Sequence, residues 1–142
     1  MRIMGLDVGD KTIGVAVSDR LGLTAQSVEV IHRSTVDRDF ARLSELVADF
    51  EVKHIVVGLP INMNGTRGPR AKLCQHFAKE MEKTIGLPVT LWDERLTTMA
   101  AERTLLSADV SRKRRKQVID KLAAALILQA YLDAQRRKEP HA

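Results

Sequence analysis

The sequence predicts a mixed α/β fold in which a five-stranded sheet carries helices on both faces. Three observations lead to it: two short apolar segments flank a polar turn near the N-terminus, apolar runs then alternate with helical patterns, and a long helical pattern closes the chain. With 142 residues and one cysteine, the chain can bury its own core without disulfides. We expect a single domain over 1–142, with about 138–142 as a short tail.

The first three predicted strands are consecutive and antiparallel, each to the next. They cover residues 2–8, 12–18 and 24–31, and a polar turn joins the first two as a hairpin. The fourth strand, at 54–58, is a run of β-branched residues typical of a central strand that is buried on both faces. The fifth covers 89–92. These strands form the mixed sheet.

Apolar residues at helical spacing predict four helices. The first two cover about 36–50 and about 68–85, between the third and fifth strands. A third runs from residue 97 or 98 to about 106, and a basic loop then leads into the last helix, at about 115–137. The alternation of helix and strand places helices on the faces of the sheet.

Positive charge is concentrated near the C-terminus. Residues 111–138 contain nine Lys or Arg and two Asp, a net +7, so the rest of the chain sums to −2 within the overall +5. Five consecutive cations just before a helix oppose its macrodipole, which favours a bound polyanion over a solvated loop, the other interpretation. We expect nucleic-acid phosphates to be bound by Arg95 and by the basic cluster, which comprises Arg112, Lys113, Arg114, Arg115 and Lys116.

Two acids follow or lie within predicted strands. Asp7 belongs to an otherwise apolar strand, where a carboxylate loses hydration unless a positive partner meets it. Glu94 follows the fifth strand, and ligands of open α/β sheets bind at the carboxyl ends of parallel strands. Asp93 and Glu94 point to opposite faces, and we favour Glu94 as the one that faces the site. The structural alternatives are a turn cap or a Lys11 partner for Asp7, and a surface position for Glu94.

A third acid, Asp120, lies on the last helix among small residues that leave room above its carboxylate. Its structural alternatives are an acid that stabilises the first turns of a basic helix and an ion pair with Lys116. Three acids in apolar company would repel one another unless cations joined them, and oxygen-only donors favour Mg²⁺ or Mn²⁺. Two such ions about 4 Å apart are suited to phosphodiester hydrolysis. Asp7, Glu94 and Asp120 are therefore the predicted catalytic and metal-binding residues of a nuclease.

Four segments, in order and at matching spacing, resemble the YqgF family. They are GLDVG at 5–9 with GVA at 14–16, VGLPINMNG at 57–65, WDERLTT at 92–98, and DKLAA at 120–124. Members of that family are described as Holliday junction resolvases or as nucleases that mature the precursor of small-subunit ribosomal RNA. The resemblance, which runs from Met1 to about Asp133, implies a ribonuclease H-like fold and places Asp7, Glu94 and Asp120 on the family's catalytic acids.

Two positions depart from the better-understood resolvases of the wider superfamily. Those enzymes carry an acid at the end of the fourth strand, where this chain has Gly58, and another acid three residues after the first one of the final helix, where it has Ala123. In this interpretation Glu94 takes the missing role from the neighbouring strand. The site would then contain three acids instead of four.

The resemblance implies metal-dependent cleavage of structured RNA or branched DNA. The predicted substrate is the 5′ end of the 16S ribosomal RNA precursor, with Holliday junction resolution as the alternative. Two other classes stay open: a non-catalytic nucleic-acid-binding factor of ribosome assembly, and an actin-like phosphotransferase, which would need a second domain. No apolar run resembles a signal peptide or a membrane span, so we expect a cytoplasmic protein, either a monomer or a homodimer.

Overall fold

The computed structural model describes the backbone of residues 1–96 and 112–138, and the side chains of 1–96 and 121–138. Its mixed sheet has the strand order β3-β2-β1-β4-β5. The β2 strand is antiparallel to its neighbours β1 and β3, whereas β4 is parallel to β1 and β5 is parallel to β4. The bounds are β1 (Arg2–Val8), β2 (Thr12–Ser18), β3 (Ala25–His32), β4 (Val52–Leu59) and β5 (Val89–Asp93).

Three helices and one short 3₁₀ turn, at Glu94–Leu96, accompany the sheet in the described residues. The helices are α1 (Val36–Asp49), α2 (Pro69–Ile85) and α3 (Arg112–Lys138). The helix predicted at 97–106 lies outside the described residues. None of the described helices combines the length and the apolar character that crossing a bilayer requires.

The last helix begins earlier than its apolar pattern indicates. The prediction of a basic loop followed by a helix from about 115 is wrong at this boundary, because α3 already begins at Arg112. Lys and Arg are good helix formers, and successive residues of a helix are about 100° apart, so consecutive cations are distributed around the axis. The basic cluster therefore occupies the first turns of α3, on the same helix as Asp120.

Each face of the sheet has its own apolar core, which confirms the predicted helices on both faces. The α1 and α2 helices cover one face, where Leu43 and Met81 belong to the same apolar core as Leu6. On the other face α3 packs through Ile127 and Leu128. Because side chains alternate along a strand, the two faces of β1 belong to different cores.

The carboxyl ends of β1, β4 and β5 meet at one edge of the sheet, because these strands are mutually parallel. Two hydrogen bonds between α3 and β3 show which end of α3 lies toward this edge. The Ala25 N–H, at the start of β3, donates to Gln129 Oε1 at 2.9 Å, whereas Ser27 Oγ, further along β3, donates to the Lys121 carbonyl oxygen at 2.7 Å. Since β3 runs parallel to β1, the N-terminal part of α3 extends toward the carboxyl edge.

Candidate functional site

Asp7 lies near the carboxyl end of β1 on the face that α3 covers. A Cβ atom added at Gly5 would lie 2.7 Å from Leu128 Cβ and 3.2 Å from the Ala124 carbonyl oxygen, so Gly5 faces α3 at very close range. Asp7 is two residues further along the strand and therefore points to the same face. It pairs in register with Gly14 of β2 and is half-buried.

Glu94 reaches from the end of β5 across the end of β4. A Cβ atom added at Gly58 would lie 3.4 Å from both Cγ and Cδ of Glu94 and 2.6 Å from Ile127 Cδ1. Gly58 pairs with Trp92, so the close approach joins neighbouring strands on the α3 face. Glu94 thus occupies the space beside the strand end where the better-understood resolvases carry an acid of their own. Asp7 and Glu94 share this face and this edge.

Asp93 has a different environment from Glu94. Its Oδ2 accepts from Arg95 Nη2 at 2.8 Å, and its Oδ1 accepts from the Arg95 backbone N–H at 2.9 Å and from Nε at 3.1 Å. These hydrogen bonds lower the pKa of the Asp93 carboxyl from its ordinary value. The positive charge of Arg95, predicted to bind phosphate, is therefore matched by a carboxylate within the protein.

The pKa of a buried thiol on the other face of the sheet is affected by the charges of both candidate acids. Cys74 of α2 is 3% exposed, and its Sγ lies 3.8 Å from the Val8 carbonyl oxygen. Burial raises the pKa of the Cys74 thiol to about 11, and the negative charges of Glu94 and Asp7 add to the increase. Cys74 is thus a thiol of the core, and both carboxylates lie near the end of the sheet that Val8 marks.

The raised pKa of Cys74 should make the fold less stable at alkaline pH. The unfolded thiol loses its proton near 9, whereas the folded thiol keeps it until about 11, so the contribution is complete below pH 9 and is lost as the pH rises through 11. We expect the loss to be on the order of 2 kcal/mol. Urea unfolding of wild type and Cys74→Ala between pH 8 and 11, in chelator, measures it. Parallel pH curves for the two proteins would contradict the prediction.

Asp120 and the basic cluster are located by their backbone alone. Asp120 precedes Ala124 by four residues, which is about one helical turn or 6 Å along the axis. Ala124 is the residue whose carbonyl oxygen lies against Gly5. Among the side chains that the structure describes, which do not include that of Asp120, no three His, Cys, Asp or Glu are grouped to hold a metal ion.

His54 belongs to the packing under α3. Its Nε2 lies 2.7 Å from Thr90 Oγ1, and its ring packs edge-on against Tyr131 with centroids 5.8 Å apart. Burial lowers the pKa of His54. These contacts give His54 a role in packing.

Two contributions to the site are not evident from the sequence. Gly58 leaves the strand surface open beside Glu94, whose Cγ and Cδ would be in contact with an added Cβ atom, and Asp93 holds the turn that carries Glu94. The sequence signal for the second is the triplet Asp93-Glu94-Arg95, since an Asp side chain commonly accepts from the backbone N–H two residues later. Gly58 carries no comparable signal, because its role depends on which side chain approaches it.

Comparison with solved structures shows to which fold the chain belongs. The structure of T. thermophilus RuvC in complex with a Holliday junction substrate superimposes with a TM-score of 0.61 at 18% identity, covering 97% of each chain. The predicted ribonuclease H-like fold, a five-stranded mixed sheet between helices, is therefore confirmed. Nucleases are found among the proteins with this fold.

The chain belongs to the RuvX Holliday junction resolvase family, whose model matches residues 1–134. The RuvX family is the YqgF family, so the resemblance seen in the four sequence segments is confirmed. A protein of Symbiobacterium thermophilum is 61% identical over 140 residues, which cover 99% of this chain and 97% of that protein. A protein of Listeria innocua is 64% identical over 135 residues, which cover 94% of this chain and 98% of that protein. Both are named "Putative pre-16S rRNA nuclease". This is a family of nucleases, which are hydrolases of phosphodiester bonds.

Proposed function

We propose that this protein is a divalent-metal-dependent endonuclease that processes the 5′ end of the 16S ribosomal RNA precursor in the cytoplasm. Asp7, Glu94 and Asp120 are its catalytic and metal-binding acids in this proposal. The substrate is suggested by the names of relatives that are 61% and 64% identical to this chain.

The observation that carries the proposal is the place of Glu94. Its carboxyl group lies against Gly58, on the face and at the edge where Asp7 lies. A chain that lacks an acid at the end of β4 thus brings a carboxylate there from β5. Two half-buried carboxylates at one strand edge repel each other, and a cation between them would offset that repulsion.

The donor set fits Mg²⁺ or Mn²⁺. Carboxylate oxygens are the ligands that these hard cations prefer, and Asp120, one turn before the helix position that contacts Gly5, would complete the set. When bound, the metal would supply Lewis-acid stabilisation of the charge that develops on a phosphodiester during hydrolysis. The protein would contribute the fixed orientation of Asp7 on β1 and of Glu94, which follows β5 and reaches across the end of β4.

The basic cluster would hold the substrate backbone. Residues 112–116 precede Asp120 on α3 by four to eight positions, or about 6 to 12 Å along the axis. Cations at this spacing reach phosphates next to the one that is cleaved. Binding that rests on such contacts is insensitive to base sequence and weakens steeply with salt.

Cleavage assays on two substrates test this proposal. Wild-type protein is incubated with a 16S precursor fragment and with a four-way DNA junction, in Mg²⁺, in Mn²⁺ and in chelator, with an identically purified Asp7→Asn protein as the control for contaminating nucleases. We expect metal-dependent cleavage of the RNA by wild type alone. Equal cleavage in chelator would exclude the metal mechanism, and cleavage of neither substrate would exclude the nuclease.

A second candidate function is resolution of Holliday junctions. The family's own description favours it. Symmetric cleavage of a four-way junction needs two sites on opposed strands, and therefore a homodimer, whereas processing of an RNA end can be done by a monomer. Preferential cleavage of the junction, together with a dimeric mass in solution, would favour this candidate over the RNA nuclease.

A further inference from the structure

We propose that Arg95 and Asp93 form a latch that positions Glu94, so that Arg95 is a positioning residue and not a phosphate ligand. This inference rests on the proposed function, because it assigns a role within the same site. It revises the interpretation of Arg95 that its positive charge suggests in the sequence.

The first part of the latch is the turn that carries Glu94. Asp93 Oδ1 accepts from the Arg95 backbone N–H at 2.9 Å, which closes the chain around Glu94 and begins the 3₁₀ turn. The guanidinium of Arg95 then holds both oxygens of the same carboxylate, at 3.1 Å from Nε and 2.8 Å from Nη2. Glu94 is thereby directed to the opposite face, against Gly58.

The second part joins this turn to the loop that follows β4. Arg95 Nη1 donates to the Asn62 carbonyl oxygen at 3.4 Å, and a Cβ atom at Gly65 would lie 3.9 Å from the same nitrogen. Since β4 ends just before this loop and β5 ends just before Glu94, a single guanidinium connects the ends of two neighbouring strands at the site.

The loop itself is internally ordered, so it can serve as a fixed anchor. The Asn62 N–H donates to the Thr66 carbonyl oxygen at 3.0 Å, and the Gly65 N–H donates to the Asn62 carbonyl oxygen at 2.8 Å. Asn64 Oδ1 accepts from the Thr66 N–H at 3.0 Å, and Gly65 has a φ of 86°, which suits glycine. The carbonyl that Arg95 contacts thus belongs to a closed turn.

A phosphate-binding role and a latch role for Arg95 predict different effects of substituting its partner, Asp93. If Arg95 bound phosphate, Asp93→Asn would release its charge and tighten nucleic-acid binding, while Arg95→Gln would weaken binding and reduce the salt slope by about one. If Arg95 is part of a latch, both substitutions remove the same interaction. They then cause the same defect, and the double variant is no worse than either single one.

Cleavage kinetics of Asp93→Asn, Arg95→Gln, the double variant and Arg95→Lys test the latch. We expect kcat to fall by roughly tenfold to a hundredfold in all four, because a small displacement of a catalytic group is enough for such a loss. The substrate affinity and its salt dependence should stay at their wild-type values. Arg95→Lys should fail as well, since an ammonium cannot make the forked contact. Retained kcat in Asp93→Asn, or affinity lost only in Arg95→Gln, would overturn the proposal.

Hydrogen exchange tests the latch separately from the nuclease function. The amides of Asn62 and Gly65 should exchange several times faster in Asp93→Asn and in Arg95→Gln than in wild type, whether or not the protein cleaves nucleic acid. The matched control is Glu29→Gln, which removes the forked Arg42–Glu29 pair on another part of the surface, at 2.6 and 2.9 Å. Unchanged exchange in the two latch variants would refute the latch and leave the proposed function intact.

Discussion

Replacing Asp7 with asparagine is expected to lower the rate of metal-dependent cleavage by more than about a hundredfold, because even the loss of an outer-sphere partner of a metal ligand costs about 10- to 100-fold. The substitution keeps the shape of the side chain and removes its charge. Asp7 lies on the central strand of the sheet, on the face that carries Glu94, so its carboxylate belongs to the same proposed site.

Two measurements separate loss of chemistry from loss of fold. Single-turnover cleavage with saturating protein reports the chemical step, and circular dichroism reports the fold, which the isosteric substitution should keep. A thermal melt with and without Mn²⁺ adds a readout that needs no substrate: a bound ion raises the melting temperature of wild type, and this shift should be absent in the variant.

Asp10→Asn is the matched control for this substitution. Asp10 follows three residues later in the turn between β1 and β2 and is exposed, so the same change of charge occurs beside the site without altering it. We expect Asp10→Asn to cleave at the wild-type rate. Equal losses in the two variants would point to a general electrostatic effect and remove Asp7 from the catalytic set.

Most of the fold follows from the sequence because its elements are encoded by local patterns. Apolar alternation predicts β1 and β2 with their observed bounds, and helical spacing places α1 and α2 within one residue at each end. The rule that parallel strands share a carboxyl edge also predicts that the ends of β1 and β5 meet. That rule brings Asp7 and Glu94 to one edge of the sheet.

The parts that the sequence does not predict depend on tertiary contacts. Arg2 pairs with Val52 while Ile3 pairs with His54, so Lys53 forms a bulge. The bulge interrupts the alternation of side chains, and the sequence pattern therefore does not predict the first two residues of β4. The latch between Asp93 and Arg95 reaches a loop more than thirty residues away, at Asn62. Local patterns carry no information about such a distant partner.

Substitution of Gly5 by alanine is expected to lower the free energy of unfolding by about 1 to 3 kcal/mol, the usual cost of overpacking a close contact. The added Cβ would lie 2.7 Å from Leu128 Cβ and 3.2 Å from the Ala124 carbonyl oxygen. Neither atom can move by a change of rotamer, because one is bonded to the helix backbone and the other belongs to it. The helix α3 must therefore shift away from the sheet.

The same shift should reduce cleavage by more than the loss of stability explains. Asp120 lies on α3 one turn before Ala124, so a displacement at Gly5 changes its distance from Asp7. A misplacement of about 1 Å can cost on the order of a hundredfold in rate. We expect this loss to persist at low temperature, where Gly5→Ala is fully folded, as measured by cleavage assays alongside urea unfolding.

Gly58→Ala provides the matched comparison, because it adds the same methyl group on the same face of the sheet. Its closest contact would be 2.6 Å from Ile127 Cδ1, the flexible end of a side chain that can rotate away, so the free energy of unfolding should fall less than in Gly5→Ala. Its Cβ would lie 3.4 Å from the carboxyl carbon of Glu94, an ordinary van der Waals contact, so the rate of cleavage should also fall less than in Gly5→Ala. If Gly5→Ala unfolded at the wild-type urea midpoint, the tight contact between β1 and α3 would be disproved, and with it the argument that this contact sets the distance between Asp7 and Asp120.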